Sequence, residues 1–382
     1  MTRILFINPA GQRGGAETVL LDLLTHLDRD AFEPGVVSFE PGPFVRELEA
    51  QTGLKIEVVP VGRFRNLRAG YRGVRRLAEI IRRDRIQLVH CNGTGAHIYG
   101  GLAARLCGVP SVFHVHDVMN LSWSSQGLLH LAALAVRPAA FVPVSHYVAR
   151  GVRGTGDGAH VRVVHNAVWR GDGGDTRDSI EAEGRRIRGE GAGPLVVWCG
   201  RLQRWKGAHV FVKAAARVAA EMPSARFLVV GGSLLGLEED YAREVRELAE
   251  SLGLGERLRF VGHQEQAAPY LAAGDVVAHT SVRPDSFGLV VFEAMSLGRA
   301  VVAADDGGPA ELVEPEVTGL LYPPGDDLAL ARAVMRLLRD EGLRRRVGAA
   351  ALERVRKDFR VEQMMQKLEG LYRDLVPQCS TR

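Results

Sequence analysis

Four glycine-bearing segments of this chain carry cations or carboxylates at spacings that suit an anion or a polyol. The most informative is Gly200-Arg201-Leu202-Gln203-Arg204-Trp205-Lys206-Gly207, which joins an apolar run to the start of a helical pattern. Three cations at a helix N-terminus oppose the macrodipole, whose positive end prefers anions. The arrangement becomes favourable when a diphosphate lies between the cations and the helix end; a solvated basic loop is the alternative. In Pro284-Asp285-Ser286-Phe287-Gly288-Leu289-Val290-Val291-Phe292-Glu293, Glu293 falls inside an apolar helical pattern, where a buried carboxylate needs a polar partner such as sugar hydroxyls. Asp285, eight positions earlier, reads on its own either as a helix N-cap or as part of a site. Asp305-Asp306-Gly307-Gly308-Pro309-Ala310-Glu311 makes a further Gly-rich turn. Near the start, Gly11-Gln12-Arg13-Gly14-Gly15-Ala16-Glu17 could bring backbone N–H groups to an anion. It is neither Gly-x-Gly-x-x-Gly nor a Gly-Lys-Ser/Thr loop, and a tight turn with Glu17 in the first helical turn is an equal reading.

In the first half, His114-Val115-His116-Asp117 ends a strand pattern. Period two puts His114 and His116 on one face, so a metal site is conceivable, but no convergent third ligand is apparent. His90-Cys91-Asn92, Ser145 and His146 end neighbouring strand patterns. Arg63 to Arg85 holds nine Arg against Glu79 and Asp84, a net +7 in a chain whose formal charge is +4. A solvated helix of an Arg-rich protein is the plainer reading of that stretch, and Gly70 and Gly73 weaken a continuous helix there.

These loops need a scaffold, and the chain supplies one twice. Short β-branched runs alternate with helical patterns in residues 4–164 and again in 195–338, which predicts parallel sheets covered on both faces. With 382 residues, 46% hydrophobic and 25% charged, the composition is that of a globular protein of two domains. Residues 170–194, poor in large apolar side chains, read as a linker. The expected organisation is a Rossmann-like domain over 1–169, the linker, a second Rossmann-like domain over 195–360, and a C-terminal helix over 361–382 returning to the first domain. Four scattered Cys suit a reduced cytoplasmic protein and exclude a zinc ribbon or disulfide scaffold. No signal peptide or membrane span is expected, since the greasy stretch Gly127 to Val144 is broken by His130, Arg137 and Pro138. Five Lys against 44 Arg, beside much Ala and Gly, point to a GC-rich bacterial genome.

Together the loops resemble glycosyltransferase family 4, the retaining transferases of the two-domain GT-B fold, and the resemblance spans nearly the whole chain. Its hallmark Glu-x7-Glu stands here as Asp285 to Glu293, with Phe287-Gly288 kept and the first Glu replaced by Asp. Gly14-Gly15-Ala16-Glu17 is similar to the family's N-terminal loop, and Gly200-Arg201-Leu202 with Lys206-Gly207 to its phosphate site. His165-Asn166 matches a structural turn. The resemblance implies two Rossmann-like domains with parallel sheets facing across a cleft, an acceptor-binding first domain and a second that binds a UDP or GDP sugar. Arg201 and Lys206 would neutralise the departing diphosphate, Glu293 would hold the ribose, and His116 would contact the transferred sugar. Asp285, Ser286, Phe287, Gly288 and Leu289 would place the donor sugar, with Gly14, Gly15 and Gly200 lining the donor site. Glu17, His90, Asn92 and Ser145 are candidates for the acceptor. No metal or other cofactor is expected. The implied partners are a nucleotide sugar and a small acceptor such as an aminocyclitol, with no nucleic acid, since no recognition helix or stacking motif accompanies the basic charge. The alternatives are a peripheral enzyme that uses Arg63 to Arg85 on an anionic membrane and a lipid-linked acceptor, or a nucleotide-sugar epimerase on the same fold.

Overall fold

The computed structural model describes residues 1–62, 66–118, 125–152, 160–167, 177–189, 193–232 and 238–376. The chain divides into two compact units, Met1–Val168 with Arg360–Arg382, and Trp169–Phe359.

The first unit runs β1 (Thr2–Asn8), α1 (Gly15–His26), β2 (Phe32–Ser38), α2 (Pro43–Thr52), β3 (Ile56–Val58), α3 (Leu67–Arg83), β4 (Leu88–Asn92), α4 (Thr94–Leu106), β5 (Ser111–Val115), α5 (Ser125–Ala135), β6 (Ala140–Pro143), α6 (His146–Val152) and β7 (His160–Val161). Its seven parallel strands lie in the order β3-β2-β1-β4-β5-β6-β7. β1, β4 and β5 are almost wholly buried. Helices on both faces demand this, and it is why these strands read as unbroken apolar runs.

The second unit repeats the plan: α7 (Arg177–Arg188), β8 (Leu195–Cys199), α8 (Ala208–Glu221), β9 (Arg226–Val230), α9 (Glu239–Ser251), β10 (Leu258–Gly262), α10 (Ala268–Ala273), β11 (Val276–His279), α11 (Leu289–Ser296), β12 (Ala300–Ala304), α12 (Pro309–Leu312), β13 (Leu320–Tyr322), α13 (Asp327–Arg339) and α14 (Glu341–Asp358). Six parallel strands lie in the order β10-β9-β8-β11-β12-β13, over a core that includes Trp198, Phe211, Phe227, Val302 and Leu330. The last helix, α15 (Val361–Leu375), belongs to the first unit. There Tyr372 sits edge-on against Phe32 and Phe6. Both sheets turn back on themselves between their first and fourth strands, β1 with β4 and β8 with β11, and such switch points are where open α/β sheets bind ligands. No helix among the described residues is long and apolar enough to cross a membrane.

Two sequence expectations need correction. The stretch 170–194, read as a linker, contains α7; its residues 170–176 and 190–192 lie outside the described residues. α7 offers no apolar stripe to read because small contacts and ion pairs hold it. Gly184 packs so closely on α10 that a Cβ would stand 2.9 Å from the Ala272 side chain. Arg188 pairs with Asp275 at 2.8 Å, and Glu181 with Arg299. The second correction concerns α3, which is continuous through Gly70 and Gly73. A Cβ at Gly73 would come 2.6 Å from Val61, and one at Gly70 would stand 3.0 Å from Tyr99, so close packing outweighs the low helix propensity of glycine. On the outer side of α3, Arg76 and Arg83 both bond Glu57, at 2.6 and 3.1 Å.

Gly207, between a short 3-10 turn (Arg204–Lys206) and α8, has φ +72°, and a Cβ there would lie 1.9 Å from the Thr280 carbonyl oxygen. Gly207→Ala is therefore expected to destabilise the second unit by about 2 kcal/mol or more, seen as a lowered midpoint of its thermal unfolding.

Candidate functional site

At the switch point of the second sheet, the loop after β8 is tied to the end of β11. The Trp198 indole donates to Thr280 Oγ1 at 2.7 Å, and Thr280 Oγ1 donates to the carbonyls of Lys206 and Gly207, each at 2.9 Å. Val282 N–H donates to the Trp205 carbonyl at 2.7 Å. This lacing fixes the turn that carries the cations. Arg204 turns away to Glu244 and stacks on the Tyr241 ring at 4.9 Å. Lys206 lies over the Trp205 ring at 4.1 Å, and its Nζ donates to Asp285 Oδ2 at 2.5 Å. Arg201 is exposed and has no ion pair among the described residues. Of the three cations read from the sequence, then, two stand near the end of β8 and the third serves α9.

Asp285 is buried. Its Oδ2 also meets His279 Nε2 at 3.4 Å, while Oδ1 accepts from Phe287 N–H at 3.4 Å and Gly288 N–H at 3.3 Å. Burial alone would push this carboxyl up; Lys206 and His279 outweigh it and hold Asp285 well below the usual carboxylate range. Asp285 is not the N-cap of α11. That place belongs to Gly288 in the left-handed region, φ +85°. The Gly307-Gly308 turn closes over the same loop: Gly308 N–H donates to the Asp285 carbonyl at 2.8 Å, and a Cβ on Gly307 would lie 2.3 Å from that oxygen. Ser286 and Leu289 are half-buried and Phe287 buried. The Phe287 ring meets Phe292 at a tilt and Phe359 edge-on. Glu293, on α11, is half-buried rather than buried. Its charge and that of Lys206 both reach the Cys199 thiol at the end of β8, which burial pushes up to about 12. Gly200 N–H is held by the Val230 carbonyl at 2.9 Å.

In the first unit the switch point is bridged by asparagines. Asn92 Nδ2 donates to Asn8 Oδ1 at 2.9 Å and to the Ala16 carbonyl at 3.3 Å, and Asn92 Oδ1 receives His116 Nε2 at 2.7 Å. The amide oxygen can only accept, so His116 carries its proton on Nε2, which leaves a lone pair on Nδ1. The Gly14-Gly15 loop starts α1, where the Glu17 carboxylate accepts Gly14 N–H at 3.1 Å. Glu17 is buried and caps the helix, so that N–H is already used.

Three acceptor candidates are misplaced by the sequence reading, the first being Asn92, buried with its amide bonded to Asn8, Ala16 and His116. His90 is fully buried within β4: Nδ1 meets the Tyr372 hydroxyl at 2.8 Å and Nε2 meets His114 Nδ1 at 3.3 Å, so it reaches no ligand. Ser145 is also fully buried, and its Oγ accepts Val148 N–H at 3.1 Å at the start of α6. The His114 and His116 rings are 4.1 Å apart, but no group of three metal-ligating side chains forms around them among the described residues. Sequence reasoning missed His279, Thr280 and Ser281, a polar triplet at the end of the buried β11 that pattern alone could have flagged. It also missed Tyr372, for which no local signal exists.

The profile described as Glycosyltransferase Family 4 matches residues 13–168, and that described as Glycosyl transferases group 1 matches residues 181–354. Two parallel α/β units of this kind make the GT-B fold of glycosyltransferases, and the chain belongs to glycosyltransferase family 4. Anabaena HepE, solved with UDP and glucose, is 27% identical, with a TM-score of 0.83 over 97% of this chain and 99% of that one. Alpha-D-kanosaminyltransferase of Streptomyces kanamyceticus is 28% identical over 304 residues, 75% of this chain and 76% of that protein. D-inositol 3-phosphate glycosyltransferase of Corynebacterium diphtheriae is 36% identical over 199 residues, and the match spans 45% of its length.

Burial holds His90 at about 3 and His97 at about 4, with His114 and His116 also pushed well down; neighbouring rings add to each shift. These depressed folded values lie below the unfolded value of about 6.5. The unfolded chain therefore binds more protons as pH falls from about 6.5 to 4, and stability is lost in that window. His97→Gln, which keeps a donor toward the His114 carbonyl, is expected to flatten the slope by roughly 1.4 kcal/mol per pH unit. Denaturant unfolding at pH 7 and pH 5 measures it.

Proposed function

We propose that the protein is a retaining glycosyltransferase that moves a sugar from a nucleoside diphosphate, a UDP sugar in the first instance, to a hydroxyl of a small polar acceptor. The observation that carries this reading is the presence, at one switch point, of the exposed Arg201, the fixed Lys206 and the half-buried Glu293. Cations beside a helix N-terminus suit a leaving diphosphate, and a half-exposed carboxylate suits the two hydroxyls of a ribose. UDP, UDP-glucose and glucose in the HepE structures support the donor class. Relatives named for inositol 3-phosphate and L-malate support a small acceptor.

On this reading the second unit holds the donor and the first the acceptor. Arg201 and Lys206 take up the charge that develops as the glycosidic bond to phosphate breaks. The acceptor hydroxyl attacks the same face, and a donor phosphate oxygen takes its proton. His116, neutral and oriented by Asn92, offers its Nδ1 lone pair to a sugar hydroxyl. Charge neutralisation is assigned to the two cations, with no metal step. A panel of nucleotide sugars, scored by thermal shift and slow donor hydrolysis, tests the donor. Glu293→Ala and Lys206→Ala should each lower kcat/KM by about 100-fold or more while the protein stays folded. Full activity in either variant refutes the site, and an inverted anomeric product refutes retention.

One observation favours peripheral membrane binding as a second reading. Leu67 and Tyr71 on α3 are 81% and 64% exposed, beside the exposed Arg68, Arg72 and Arg75. Arg63, Phe64 and Arg65 of the same basic stretch lie outside the described residues. Sedimentation with phosphatidylserine vesicles should then fall with salt and with Arg68→Gln/Arg72→Gln; equal recovery of wild type and variant leaves the small-acceptor reading alone.

A further inference from the structure

The geometry points to Asp285 as a positioning residue that clamps Lys206, with His279 as the second jaw, and not as a contact of the transferred sugar. The inference rests on the reading of the second unit as the donor site and goes beyond it in assigning the hallmark position. An ionised carboxylate offers about four lone-pair positions. At Asp285 four donors inside the unit meet them: Lys206 Nζ and His279 Nε2 on Oδ2, and Phe287 N–H and Gly288 N–H on Oδ1. A sugar hydroxyl would have to displace one of them from a side chain only 9% exposed. The aspartate, one methylene shorter than glutamate, stays at the end of β11, within reach of His279.

His279 is itself set in one tautomer. Its Nε2 lies 3.0 Å from Ser281 Oγ and 3.4 Å from Asp285 Oδ2, and its Nδ1 is buried without a hydrogen-bond partner. A proton on Nδ1 would bury an unsatisfied N–H and turn a lone pair toward the carboxylate. The proton therefore sits on Nε2, shared between Ser281 Oγ and Asp285 Oδ2. Lys206 gains a fixed place between Asp285 and the Trp205 ring before any ligand arrives. A free lysine would lose rotamer freedom at each binding event, and the clamp removes that cost in advance. The ammonium has three donors, of which Asp285 takes one and leaves two for phosphate oxygens. The clamp should therefore act on the diphosphate whether or not a sugar is attached.

The test is calorimetric binding of two probe pairs, UDP with UDP-glucose and GDP with GDP-mannose, to wild type, Asp285→Asn, His279→Gln, Lys206→Met and the Asp285→Asn/Lys206→Met double variant. Asp285→Asn is expected to weaken both members of the bound pair by the same factor, about ten-fold. His279→Gln should weaken them equally but less, and Asp285→Asn should add nothing in the Lys206→Met background. Loss confined to the nucleotide sugar, with the free diphosphate unchanged, overturns the clamp and returns Asp285 to the sugar. Additive losses in the double variant overturn it as well. Should Asp285→Asn fail to fold, His279→Gln carries the same comparison alone. Wild type that binds neither pair refutes the donor-site reading and the clamp with it, an outcome distinct from a sugar-only loss in the variants.

Discussion

A carboxylate withdrawn from water must be met by donors on every side, and the buried Asp285 makes that demand at the centre of the second unit. Its carboxylate joins Lys206 from the loop after β8, His279 from β11 and the amides that lead into α11. Its backbone carbonyl holds the Gly307-Gly308 turn. Segments as far apart in sequence as Lys206 and Gly308 converge on one residue, and the placement of Lys206 follows from it. Without Lys206 that carboxylate would keep His279 and the two amides but lose its counter-charge.

The two units solve the same geometric problem with different chemistry. Each sheet reverses its order between two strands, which opens a crevice beyond their carboxyl ends. In the second unit the crevice is laced by Trp198 and Thr280 and lined by charge. In the first it is laced by Asn8 and Asn92, and the polar groups beneath it are neutral histidines. α15 enters this scheme through Tyr372, whose hydroxyl ends the buried row of His90 and His114.

Much of the scaffold was legible because a strand covered on both faces has to be apolar throughout; β1, β5, β8 and β12 stand out for that reason alone. The loops that carry Arg201, Lys206 and Glu293 were legible because glycine and charge beside an apolar run are costly without a purpose. α7 was hidden, since Gly184 and a set of ion pairs hold it where an apolar stripe would ordinarily do so. α3 was misjudged because Gly70 and Gly73 read as helix breakers until Val61 and Tyr99 are seen against them.

The sequence by itself determined the two parallel sheets, the order of the loops and the kinds of charge they carry, because periodicity and residue type are local properties. Only the tertiary structure decided which partner each polar side chain meets. It turned Arg204 aside to Glu244, buried His90 beneath Tyr372, spent Ser145 on a helix start and enclosed Asp285 within four donors. Those outcomes depend on contacts between residues as far apart as His90 and Tyr372. Such contacts arise when strands pair and helices pack, which no spacing along the chain encodes.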